Sequence, residues 1–212
     1  MSDTKFSPLA QNIIDGNLDG ALEEVQKCLA GNISPQTIMD EHLIRAMSEV
    51  GRLFEEGEYF VPELMISARA MQAAMKVLNP LLAGAGAQKV GRVVIGTVKG
   101  DFHDIGKNLV AAMLEGGGFE VIDLGVDVSP EKFAEAAKEQ AGTLVAMSAL
   151  LTTTMPQMKT VIEKLESDGL RSKSKVIICG APVTNEFAKM IGADGYSDNA
   201  SAAVTLAKSF FA

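Results

Sequence analysis

The stretch VVIGT at residues 93–97, followed closely by GDFHDIGKN at residues 100–108, decides the fold of the second half of this chain. A short run of β-branched apolar residues that ends in glycine and polar residues indicates a buried strand. Three similar runs occur at residues 121–124, 144–147 and 176–179, with a weaker one near residues 195–196. Helical patterns separate these runs, near residues 104–117, 130–140, 155–168, 184–191 and 200–211. Strict alternation of strand and helix predicts an α/β fold, a doubly wound parallel sheet that binds ligands at the carboxyl ends of its strands.

The first half of the chain has a helical pattern instead. One helix starts at Asp19, a second begins at Ser34-Pro35 and ends at Glu56-Gly57, and a third runs from Pro62 until Asn79-Pro80 closes it. This pattern predicts a four-helix bundle of about 80 residues. The small residues at positions 82–87 suit a linker, which is either a hinge or a simple spacer. We therefore expect a helical domain at residues 1–88 and a sheet domain at residues 89–212.

Composition excludes several classes of function. The net charge of −8 and the pI near 4.8 disfavour a nucleic-acid partner, because phosphates are neutralised by clustered lysine and arginine. No stretch reaches the ~20 apolar residues that a spanning helix needs, so no membrane association is expected. The first residues carry no secretory signal, and the two cysteines, Cys28 and Cys179, suit reduced thiols. We expect a cytoplasmic protein.

The loop after the first predicted strand holds the first candidate site residues. His103 would lie at the mouth of the sheet, where Asp101 can accept its second ring N–H, an arrangement usual for histidines that bind metals. Gly106 would let the next helix pack close to the strand or to a ligand. One histidine cannot hold a bare zinc ion, but one imidazole is enough where a macrocycle supplies the other ligands. A histidine that only stabilises the loop is the simpler alternative.

Two further strand ends contribute candidates. Ser148, Thr152 and Thr154 follow the third strand, where their hydroxyls line a polar pocket or Thr154 caps the next helix. Gly180 follows the fourth strand and allows either a close backbone approach or a plain turn. Because such loops meet at one edge of the sheet, together they favour a large ligand.

These residues carry a resemblance to a known family. The patterns Asp101-x-His103-x-x-Gly106 and Ser148-x-Leu150, followed by Gly180, are similar to the cobalamin-binding module of methionine synthases. With its helical half, the chain resembles the corrinoid proteins of methylamine, methanol and methoxy-arene methyltransferase systems. The resemblance implies a helical-bundle cap followed by a Rossmann-like five-stranded parallel sheet. It also implies a cobalamin bound "base-off, His-on", with a histidine in place of the cofactor's own benzimidazole.

The resemblance assigns roles residue by residue. His103 would be the metal ligand below the cobalt, with Asp101 as its hydrogen-bond partner and Thr154 extending that relay; these three form the predicted catalytic set. The other predicted cofactor-binding residues of the sheet are Gly106, Ser148, Leu150, Thr152, Gly180 and Ala200. Of these, Ser148 and Thr152 would contact the nucleotide tail, whereas Gly180 and Ala200 would line its path. In the helical half, Phe54, Val61 and Leu64 would shield the upper face of the cobalt. Cys179 departs from the family, which often has glycine there.

The implied function is methyl carriage. A donor-specific methyltransferase would load the methyl group, giving methylcobalamin, and a second methyltransferase would remove it to tetrahydrofolate or coenzyme M, leaving cob(I)alamin. A reductive activase is a further expected partner, and the chain would not be catalytic without its partner enzymes. The main alternative is a non-catalytic cobalamin sensor or storage protein. A mutase subunit, which normally lacks such a helical half, and a phosphate-binding or receiver-like module are further alternatives.

Overall fold

The computed structural model describes residues 6–84 and 89–211. Contacts between Cα atoms divide the chain into two compact units, one formed mainly by the chain before residue 90 and the other mainly by the chain after it. Within the described residues, no helix is both long enough and apolar enough to cross a membrane.

The helical unit consists of four consecutive helical segments, here called rods, the third of which joins two α-helices through a π-helical stretch. Their bounds are α1 at Pro8–Ile14, α2 at Leu18–Ala30, α3 at Pro35–Ile38 continued by a π-helical stretch at Met39–Ile44 and by α4 at Arg45–Glu55, and α5 at Val61–Gly84. The side chains of Ser7, Asn17 and Ser34 cap the first three rods by accepting hydrogen bonds from main-chain N–H groups. The apolar faces of the rods pack on one another, which confirms the predicted four-helix bundle.

The last helix of this unit extends further than the sequence predicted. Asn79-Pro80 does not close it, because α5 continues through Pro80 to Gly84. A proline inside a helix costs about 3 kcal/mol, since it removes one hydrogen bond and its ring crowds the preceding turn. Leu78 and Leu82, on either side of Pro80, are both buried, and their burial offsets this cost. The predicted linker at residues 82–87 is thus helical as far as Gly84, and its remaining residues lie outside the described part of the chain.

The second unit is a five-stranded sheet in which all strand pairs are parallel. Its strands are β1 at Arg92–Thr97, β2 at Glu120–Asp123, β3 at Leu144–Ser148, β4 at Lys175–Cys179 and β5 at Gly195–Ser197. Its helices are α6 at Ile105–Gly116, α7 at Pro130–Lys138, α8 at Pro156–Ser167, α9 at Asn185–Ile191 and α10 at Ala200–Ser209. The strand order is β2-β1-β3-β4-β5, so the predicted doubly wound sheet, including its weak fifth strand, is confirmed.

The strand order determines where a ligand can bind. All residues of β1 and β3 are buried, as expected for parallel strands that are covered on both faces. The chain leaves β1 towards β2 on one side, then crosses back to β3 on the other, so the winding reverses between β1 and β3. In sheets of this kind, ligands bind beside the loops that follow the strands on either side of the reversal. These loops are residues 98–104 and residues 149–155.

Candidate functional site

The carboxylate of Asp101 joins the two loops at the reversal point. Its side chain is fully buried. Oδ1 accepts hydrogen bonds from the main-chain N–H of His103 at 3.1 Å and pairs with Nδ1 of its ring at 2.7 Å. Oδ2 accepts from the N–H groups of Leu150 and Leu151, at 2.8 and 3.3 Å, and from the hydroxyl of Thr154 at 2.7 Å. One buried carboxylate thus holds the β1–α6 loop and the β3–α8 loop together.

These contacts keep Asp101 ionised. Burial alone would raise the pKa of its carboxyl group. The hydrogen bonds from the Leu150 N–H, the His103 ring and the Thr154 hydroxyl outweigh burial and hold the pKa of Asp101 well below its usual range. Asp101 is therefore a carboxylate at neutral pH and acts only as an acceptor.

The charge on Asp101 fixes the state of the His103 ring. A neutral imidazole has one N–H and one lone pair, and an anionic acceptor beside Nδ1 places the proton on Nδ1. The lone pair is then on Nε2, and none of the described residues forms a hydrogen bond to that atom. The His103 side chain is 51% exposed, and its main-chain carbonyl accepts a hydrogen bond from Thr97 at 2.9 Å. His103 thus offers an oriented, accessible nitrogen donor.

The surroundings of His103 are apolar and open. Phe102, Ile105, Leu150 and Leu151 lie in the same two loops and at the start of α6, and each is exposed by 41% or more. A side chain built onto Gly106 would meet no other atom within 4 Å. Exposed apolar side chains grouped around a polar ligand atom are typical of a surface that a large ligand covers.

The ends of β3 and β4 are tightly packed. Ser148 pairs in register with Cys179, and burial raises the pKa of the Cys179 thiol to about 11, although a hydrogen bond with Ser148 opposes this. Gly180 follows with φ +130, and an added Cβ would lie 1.9 Å from the carbonyl oxygen of Ala149. Only glycine fits this contact. Gly180 also begins a turn, because its carbonyl accepts from the N–H of Val183 at 2.9 Å, so the geometry agrees with both interpretations of this residue.

The other predicted residues differ in their placement. Thr152 is exposed in the β3–α8 loop, whereas Ala200 is buried as the first residue of α10. In the helical unit Phe54 is half-buried and Val61 is 43% exposed. Leu64 is fully buried, so it could meet a ligand only after its neighbours move. The cofactor-binding roles of all these residues stay predictions.

Three contacts of the site were not foreseen. The Leu150 and Leu151 donors are main-chain groups, which side-chain identities do not reveal. The Thr97 hydroxyl could have been noticed as the last side chain of a strand that leads into the histidine loop. The helix-cap alternative for Thr154 is not what forms, because α8 has Met155 at its N-cap position and no side-chain cap, while Thr154 binds Asp101.

Comparison with known proteins identifies the class. Residues 91–205, more than half of the chain, match the family described as "B12 binding domain", and residues 6–79 match a second family of the same description. Dimethylamine corrinoid protein 1 of Methanosarcina acetivorans is 45% identical over 205 residues, with 96% of each chain covered. The chain belongs to the B12-binding family, and within it to the corrinoid proteins of methyltransferase systems. Its cofactor is cobalamin.

Solved structures agree with this assignment. A cobalamin-binding protein from Desulfitobacterium hafniense superposes with a TM-score of 0.78 at 35% identity, covering 95% of this chain and 96% of the other. A chain of the methanol:cobalamin methyltransferase complex from Methanosarcina barkeri superposes with a TM-score of 0.85 at 32% identity, covering 96% of this chain and 78% of the other. At these identities the likeness extends beyond fold to family.

The residues present fit a corrinoid. Among the described residues, no group of three or more histidine, cysteine, aspartate and glutamate side chains could hold a metal ion. A cobalt that already has its equatorial ligands from the corrin ring needs only an axial donor, which the lone Nε2 of His103 can provide. The open space above Gly106 and the exposed apolar side chains nearby suit the broad, largely apolar ring.

The hydroxyl of Thr154 should be worth more to stability than a surface hydroxyl. Thr154→Val removes a buried hydrogen bond to a charged acceptor, so the free energy of unfolding of the cofactor-free protein should fall by about 1.5–3 kcal/mol. Thr154→Ser keeps the hydroxyl and should cost less. Thr160→Val, on the exposed side of α8, should change stability by less than about 0.5 kcal/mol. Urea denaturation measures all three, and equal losses for Val and Ser at position 154 would contradict the role of the hydroxyl.

Proposed function

We propose that this protein is a methyl carrier that binds cobalamin base-off, with Nε2 of His103 as the lower axial ligand of cobalt. The proposal includes a nucleotide tail that enters beside Ser148, Thr152, Gly180 and Ala200. It also includes two domains, residues 1–88 and 89–212, of which the first shields the upper face of the cofactor through Phe54, Val61 and Leu64. Cobalamin supplies a cobalt centre that accepts and releases a methyl group.

The observation that carries the proposal is the contact between His103 and Asp101. Metal-bound histidines usually donate their other ring N–H to a carboxylate, which fixes the tautomer and strengthens the donor nitrogen. Here the carboxylate lies 2.7 Å from Nδ1 and has no exposed surface. A histidine that only stabilised the loop would not need its free nitrogen at an apolar, exposed surface.

Thr154 supports the same contact from the other oxygen of the carboxylate. Its hydroxyl donates to Oδ2 of Asp101 at 2.7 Å, while Oδ1 pairs with Nδ1 of His103. Asp101 and Thr154 would thus hold the imidazole in place and keep Nε2 available to the cofactor.

The partners follow from the carrier role. We propose a donor-specific methyltransferase that loads the methyl group and a second methyltransferase that passes it to tetrahydrofolate or coenzyme M. A reductive activase would restore cofactor that has been oxidised. Support comes from the similar chain in the methanol:cobalamin methyltransferase complex and from the name of the dimethylamine corrinoid relative, which makes a methylated amine the first donor to test.

Replacing His103 should change both the affinity and the colour of the bound cofactor. His103→Ala should raise the Kd for cobalamin at least about tenfold and remove the spectral features of imidazole coordination, since the proposed axial donor is lost. His42→Ala is the matched control, because His42 lies in the helical unit with Nδ1 2.8 Å from the hydroxyl of Ser7. Absorption titrations should give the control a wild-type spectrum. A wild-type spectrum for His103→Ala would refute the ligand assignment.

Methyl carriage itself can be measured with isotope-labelled donors. The holoprotein, reduced and mixed with a candidate donor methyltransferase and its labelled methylamine, should take up about one methyl group per cobalamin. The label should then pass to tetrahydrofolate or coenzyme M only when a second methyltransferase is added. Uptake of no label with any donor system, by a holoprotein of normal spectrum, would favour the sensor or storage alternative.

A further inference from the structure

His103 lies in a loop with no regular secondary structure, so its position depends on contacts from outside the loop. Residues 101–104 form neither helix nor strand. The β3–α8 loop holds one side of this segment through Asp101. The opposite side faces the end of β2 and the segment that leads to α7. Two contacts from there lie on either side of His103 along the chain.

The first contact is made by Asp127. Its carboxylate accepts a hydrogen bond from the N–H of Gly100 at 2.7 Å, and its own N–H donates to the carbonyl of Asp101 at 3.0 Å. Asp127 has φ 53, and among the described residues only Asn32 is another non-glycine with positive φ. This conformation costs a non-glycine residue about 1–2 kcal/mol, so the surrounding contacts must maintain it. The reciprocal pair fixes the backbone just before His103.

The second contact is made by Lys107, four residues after His103. Only 2% of this side chain is exposed. Its ammonium group forms an ion pair with Asp123, the last residue of β2, and donates to the side-chain carbonyl of Asn108 at 2.7 Å. The other oxygen of Asp123 accepts from the N–H of Gly125 at 2.9 Å. A buried ammonium is costly unless it is paired, so this pair ties the start of α6 to the end of β2.

We propose that Lys107, with Asp123, and Asp127 are positioning residues that hold His103 in the orientation in which its Nε2 can bind cobalt. We call these two contacts the β2 bracket. The inference rests on the proposed function, because it assumes that His103 is the axial ligand. It extends that function by assigning the orientation of the ligand to a strand and a segment outside its own loop.

The bracket acts on orientation because its two contacts lie at opposite ends of one short loop. Asp101 fixes the rotation of the imidazole and ties the loop to the β3–α8 loop, but it does not reach β2. Lys107 connects the chain after that loop to β2 through Asp123, and Asp127 connects the start of the loop to the segment that follows β2. Loss of a group that orients a metal ligand commonly weakens metal binding by about 10–100-fold.

The test is a titration with cobinamide, a corrinoid that lacks the nucleotide and its benzimidazole. Any nitrogen that coordinates this probe comes from the protein, and coordination changes its visible spectrum. Lys107→Met removes the ion pair with Asp123. Asp127→Gly removes the carboxylate that accepts from the Gly100 N–H and keeps the main-chain N–H that donates to Asp101; glycine also adopts a positive φ without strain. Asp127→Asn keeps an acceptor and tolerates the same backbone.

As a control, Lys175→Met removes a lysine at the start of β4, which is one of two cationic partners of another aspartate, Asp194. His103→Ala gives the spectrum without coordination.

We expect Lys107→Met and Asp127→Gly to raise the apparent Kd of the coordinated form about tenfold. Asp127→Asn and Lys175→Met should stay within about twofold of the wild type. If Lys107→Met fails to fold, as judged by circular dichroism, the comparison of Asp127→Gly with Asp127→Asn tests the bracket. Wild-type coordination in a folded Asp127→Gly would overturn the bracket, even if its unfolding free energy is lower. A wild-type protein indistinguishable from His103→Ala would instead overturn the proposed function, and the bracket with it.

Discussion

A single buried carboxylate organises the carboxyl end of the sheet. Asp101 receives hydrogen bonds from its own loop and from the β3–α8 loop, and each of its oxygens is used more than once. An anion in this position would be costly to bury alone, so the donors and the carboxylate depend on one another. The same anion sets the tautomer of His103. The carboxylate of Asp101 therefore both holds two loops together and orients the His103 ring.

The winding of the sheet explains why this group is where it is. The strand order reverses between β1 and β3, and a polar link joins the loops that follow these two strands. Asp101 provides that link from one loop, and the main-chain N–H groups of Leu150 and Leu151 provide it from the other. Gly180 adds the close approach of the third loop to Ala149. The broad face of a corrin ring could then cover the exposed side chains around His103.

Much of this arrangement was predictable from the sequence, and the exceptions have physical reasons. The runs of β-branched residues predicted the strands, and the order of Asp101, His103 and Gly106 predicted a site at the first strand end. The predicted end of α5 at Asn79-Pro80 was wrong. The prediction considered only the local effect of proline, whereas the burial of Leu78 and Leu82 stabilises the helix beyond it. The donors from Leu150 and Leu151 are main-chain atoms that any residue would supply. Lys107 contacts Asp123, 16 residues away, and Asp127 contacts Gly100, 27 residues away. Such distant pairs become visible only once the chain is folded into the sheet.

The central claim, that a histidine of this chain binds the cobalt, has one direct test. Protein labelled with 15N-histidine is loaded with unlabelled cobalamin and reduced to the Co(II) state, and its electron paramagnetic resonance spectrum is recorded. The unpaired electron couples to the axial nitrogen, and 15N, with a nuclear spin of one half, splits each line into two, whereas 14N splits it into three. The account predicts doublets. Triplets, as from the cofactor's own unlabelled benzimidazole, would contradict it.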